Sequence, residues 1–118
     1  MFKNVDYVGF EKESELEAKA RQANEVLGSV IRSWRDDLLV TWRPAAMQSD
    51  ALLEVSLSLS LPNATGSVTR TIRRRDFNPG EQGYLRMSLR DVWLDLLDVL
   101  IAQMEAKREG WLAETVEA

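Results

Sequence analysis

A chain of 118 residues, 45% hydrophobic and 29% charged, has the make-up of one globular domain and none of the low-hydrophobicity, high-charge signature of disorder. It has no Cys, which rules out disulfides, thiolate metal sites and cysteine nucleophiles, and no His, so any catalysis would rest on Asp, Glu, Lys, Tyr or Ser. The net charge of −4 hides a polarised chain: residues 70–90 carry six arginines against Asp76 and Glu81, a local +4 that leaves −8 elsewhere.

Residues 1–13 form an N-terminal segment in which Lys3 and Asp6 interrupt Phe2, Val5, Tyr7, Val8 and Phe10, so it lacks the apolar run of a signal peptide. No window approaches the ~18 uninterrupted apolar residues of a spanning helix. The expectation is a cytoplasmic protein with no membrane contact. Ser14-Glu15-Leu16-Glu17 reads as a capping box, and Leu16, Ala20, Ala23, Leu27, Val30 and Trp34 recur at spacings of four and three, which predicts a helix from Ser14 to about Ser33.

Leu38 to Arg43 is a short strand that Pro44 ends, because proline has no N–H to give to a ladder. The clearest element follows. Leu53-Glu54-Val55-Ser56-Leu57-Ser58-Leu59-Ser60-Leu61 alternates without a break, giving a strand over 52–61 with one aliphatic face and one serine face. Pro62-Asn63-Ala64-Thr65-Gly66 supplies a turn into a third strand from Ser67 to about Asp76. Asn78-Pro79-Gly80 makes a second turn, after which Tyr84 to Met87 pairs as a short fourth strand. Ser88-Leu89-Arg90-Asp91 repeats the capping-box pattern and opens a helix whose stripe is Leu89, Val92, Trp93, Leu96, Leu100 and Met104, ending near Lys107. Residues 109–118 read as a frayed acidic tail.

The expected fold is therefore α+β: one domain over 14–108, a helix, then three or four antiparallel strands, then a helix, with both helices on one face of the sheet. That arrangement leaves Ser56, Ser58, Ser60, Thr69 and Thr71 on an open face, with Arg73 and Arg75 on the same parity. The order of helix, three antiparallel strands and helix resembles the topology of double-stranded-RNA-binding domains. Their basic cluster at the start of the second helix has no counterpart in Leu89-Arg90-Asp91-Val92-Trp93-Leu94-Asp95, and topology alone transfers no function.

Three features carry functional readings. Arg43, Arg70, Arg73, Arg74, Arg75 and Arg86 form a candidate anion or nucleic-acid site, since arginine forks match phosphate and carboxylate; the alternative is that they pair with helix acids or shield an edge strand. Asp91, Asp95 and Asp98 share a stripe of the second helix, as divalent-cation ligands can, or as acids favoured by the helix dipole. Leu94, Leu97, Val99 and Ile101 are more apolar side chains than one sheet face needs, and Trp111 with Leu112 adds a patch beyond them that docks either on a partner subunit or on its own domain.

Surplus apolar surface implies a partner. The functional expectation is a non-enzymatic interaction or adaptor module that self-associates as a symmetric dimer, either through the second helix, with Leu94, Leu97, Ile101, Trp111 and Leu112 at the interface, or through the open sheet face. Partners are a second copy or another protein. The first alternative is the arginine-based anion or nucleic-acid binder. The second, a small-ligand carrier or enzyme, lacks a phosphate loop and a nucleophile with a base, and no cofactor or metal is expected.

Overall fold

The computed structural model describes residues 4–11, 14–31, 37–45, 50–77 and 82–117, without the side chains of Gln82 and of residues 112–117. In chain order the elements are β1 (Asn4–Tyr7), α1 (Ser14–Val30), β2 (Leu38–Pro44), β3 (Ala51–Ser60), β4 (Thr65–Arg73), a 3-10 turn (Arg74–Phe77) and α2 (Gln82–Glu117). The fold is α+β, a single domain in which the described residues form two helices and one four-stranded sheet.

The sheet is mixed, which corrects the expected antiparallel one. Its order is β1-β2-β3-β4, with β2–β3 and β3–β4 antiparallel and β1 parallel to β2, Val5 opposite Val40 and Tyr7 opposite Trp42. Parallel neighbours need a crossover, and α1 is that crossover. The fourth strand thus comes from the N-terminal segment, and residues 84–87, expected as a strand, are the first turns of α2.

The reason lies in the core stripe of α2. Leu85, Leu89, Val92, Leu96 and Leu100 are all buried, at spacings of four, three, four and four, so the stripe that faces the sheet begins before Ser88. Ser88 is accordingly an interior residue of α2 rather than its cap. At the other end the helix continues to Glu117, where a frayed tail from 109 was expected.

β3 follows its alternation. Leu53, Val55, Leu57 and Leu59 are buried and join one core cluster with Ala20, Ala23 and Leu27 of α1 and the α2 stripe. At the centre lies Trp42, fully buried, its indole N–H donating to Asn24 Oδ1 of α1 at 3.0 Å. The alanines of α1 let that helix sit close to the strands. Gly66 does the same for α2, since a Cβ there would stand 3.1 to 3.3 Å from Val99, Leu96 and Leu100. Val99, one of the surplus apolar residues of the sequence, is thereby assigned to packing. At the N-terminal edge Gly9 takes φ +88°, a left-handed turn open to glycine, and Phe10 beyond it is buried.

Candidate protein-interaction site

α2 has 36 residues, about 54 Å of helix at 1.5 Å per residue, in a molecule whose extents are 61 × 28 × 26 Å. It runs antiparallel to β4: Arg70 meets Asp91 and Asp95, while Thr65 meets Gln103 further along. The core stripe stops where the sheet stops. Its next two positions are Gln103, hydrogen-bonded to both the N–H and the C=O of Thr65, and Lys107, whose Nζ donates to Asn63 O. Beyond Lys107 the helix projects past the strands.

A second apolar line runs beside the first. Leu94, Ile101 and Met104 are 40%, 50% and 39% exposed, Leu97 is half-buried and Trp111 is 61% exposed. Their spacings of three, four, three and seven are those of a and d positions in a heptad, and they lie roughly a third of a turn around the helix from the core stripe. Asp98 and Glu105 flank the line on one side, and Arg108 occupies the seam position between Met104 and Trp111. Four of the interface residues expected from the sequence, Leu94, Leu97, Ile101 and Trp111, are thus aligned. The Leu112 side chain lies outside the described residues. Met104, read from the sequence as core, belongs to this seam.

The other parity of the sheet carries the hydroxyl residues. Ser56 and Ser58 are half-buried, while Ser60, Thr69 and Thr71 are exposed; Ser56 bonds Thr69 at 2.8 Å and Ser60 bonds Thr65 at 3.1 Å. Leu39, 49% exposed, lies opposite Ser58 on the same surface.

The arginines do not converge. Arg70 faces α2 and pairs with Asp91 at 3.7 Å and Asp95 at 3.9 Å, so two of the three acids proposed as cation ligands hold a guanidinium. Among the described residues no three His, Cys, Asp or Glu side chains come together to hold a metal ion. Arg73 projects on the hydroxyl parity and pairs with Asp50 at 3.8 Å. Arg75 was expected beside it, but the strand ends at Arg73, whose N–H is taken by Asp76 Oδ2 at 2.9 Å as the chain tightens into the 3-10 turn. Arg86 donates to Ser29 of α1, and Arg43 stands on β2 opposite Glu54. Arg74 and Arg75 are exposed at the end of β4.

Clefts lined by described residues include two of similar size. One, about 440 Å³, is lined by Arg75, Asp76, Tyr84, Met87, Ser88 and Asp91. The other, about 410 Å³, lies between Tyr7, Phe10, Glu11, Ser14 and Glu17. Burial pushes the Tyr7 phenol up, and the Arg21 guanidinium, 4.3 Å over its ring, pulls the other way. Trp42 is core and Trp93 packs against it, while Trp34 and Phe2 lie outside the described residues. No helix among the described residues is long and apolar enough to cross a membrane. Comparison of the chain with protein-family models, curated proteins and solved structures finds no match.

Proposed function

We propose that this chain is a non-enzymatic cytoplasmic interaction module that self-associates through the outer seam of α2. One observation carries the reading: Leu94, Leu97, Ile101, Met104 and Trp111 keep heptad spacing, four of them exposed and Leu97 half-buried, on a helix that outruns its own sheet. A single shared core cluster supports both helices covering one face of the sheet, and none of these five side chains belongs to that cluster.

The sequence of the seam favours a second copy in antiparallel orientation. Setting Ile101 against Met104 of the second copy also sets Leu94 against Trp111, and places Arg108 against Leu97 with Asp98 beside it. A parallel pair in register would instead bury two Arg108 side chains against each other, which is costly without partners.

The absence of cysteine makes a cross-linking test unambiguous. Leu94 and Trp111 are about 26 Å apart along one helix, so they cannot bridge within a chain. Leu94→Cys and Trp111→Cys variants are expected to form disulfide-linked dimers on a denaturing gel only when mixed and oxidised. Each variant linking to itself would indicate a parallel pair, and no linkage in any arm would remove the seam as an interface.

A further inference from the structure

β4 is an edge strand, and its hydrogen bonds reveal which residues face outward. In an antiparallel pair each residue sends its N–H and C=O to the same side, alternating along the strand. Thr65 gives both groups to Gln103, away from β3, and Arg73 gives its N–H to Asp76. The register from Thr65 to Ile72 is unbroken, so Ser67, Thr69 and Thr71 also point their ladder groups outward. The close side-chain contacts Ser56–Thr69 and Ser60–Thr65 agree, being typical of pairs that do not share ladder bonds. No described residue bonds to the outward groups of Ser67, Thr69 and Thr71. The edge is therefore closed at both ends, by Gln103 and by Asp76, and open over a window centred on Thr69.

We propose that β4 pairs antiparallel with β4 of a second copy about a two-fold axis at Thr69, a contact additional to the α2 seam. It rests on the self-association reading and adds a second surface to it. Thr69 then meets Thr69, and Ser67 meets Thr71, all small side chains that admit close approach. Charge selects this occupant over an unrelated strand. Arg73, Arg74 and Arg75 cluster at one end of β4, while exposed Glu105 and Glu109 lie on α2 just past the other end. Because α2 runs antiparallel to β4, the two-fold brings each arginine cluster to the glutamates of the other copy, twice. Two isologous contacts close as a dimer of dimers when their two-fold axes meet at right angles.

Sedimentation equilibrium of seam and edge variants separates the two contacts. Ile101→Asp, which blocks the seam, is expected to leave an edge-paired dimer, and adding Thr69→Pro is expected to give a monomer of 13.4 kDa with unchanged helical circular dichroism. A charge arm avoids any strain the proline brings. On the Ile101→Asp background, Arg74→Glu/Arg75→Glu and Glu105→Arg/Glu109→Arg variants are each expected to weaken dimerisation at least tenfold, and an equimolar mixture to restore it. If Ile101→Asp alone is monomeric, or the mixture fails to restore pairing, the edge contact is wrong and the seam stands. If Ile101→Asp keeps the wild-type mass while Thr69→Pro lowers it, the edge stands and the seam is wrong.

Discussion

Trp42→Ala lowers the stability of the fold by about 3 to 5 kcal/mol, the range for an aromatic side chain removed from a core that cannot collapse around the void. Trp42 is fully buried between Tyr7 of β1 and Val55 of β3 and is hydrogen-bonded to Asn24 of α1. Its removal also strips Asn24 Oδ1 of its donor, and an acceptor left unpaired away from water adds to the loss. Trp42→Phe keeps most of the volume and loses the hydrogen bond, so it should fall well short of the alanine variant. Denaturant midpoints at constant slope give both values. A loss under ~1 kcal/mol for Trp42→Ala would mean that the two sides of the sheet have been assigned the wrong way round.

Ile101→Asp is the corresponding test of the seam. The side chain is 50% exposed in the isolated chain, so a carboxylate there meets water and the fold stays intact. In the assembled state the same carboxylate is buried against apolar side chains, beside Asp98 and Glu105 at i−3 and i+4, which repel it. An unpaired charge in such a place costs about 3 to 5 kcal/mol, more than ~100-fold in affinity across the seam. Leu100→Asp, one residue away but 3% exposed, should unfold the domain instead. The contrast between adjacent positions is what a helix with two apolar lines requires. Equal behaviour of the two variants, either both unfolded or both assembled as the wild type, would show that α2 has only one.

Much of the fold was legible because period 2 and period 3.6 are distinct signals. β3 declares itself by strict alternation, and α1 by its capping box and alanine stripe. β1 was not legible: Asn4–Tyr7 is a four-residue strand whose partner, β2, lies across a whole helix, and nothing local to those residues specifies parallel pairing. The start of α2 was misread because Ser88-Leu89-Arg90-Asp91 matches a cap, whereas burial of Leu85 one turn earlier carries the helix back past it.

The seam was legible in part. Leu94, Leu97, Ile101 and Trp111 stood out as surplus, but Met104 was given to the core stripe because both lines use spacings of three and four and differ only in phase. What separates them is where the sheet ends, which Gln103 and Lys107 mark by bonding to Thr65 and Asn63. The arginine run was legible as charge and not as geometry. Its members point to α2, to Asp50 and to solvent in turn, a division fixed by the end of β4 at Arg73.

The mass of the unmodified protein in solution tests the central claim most directly. Sedimentation equilibrium at tens of micromolar chain should return a multiple of 13.4 kDa that falls towards the monomer on dilution. A single species of 13.4 kDa throughout that range would contradict self-association and leave both the α2 seam and the β4 edge as plain surface.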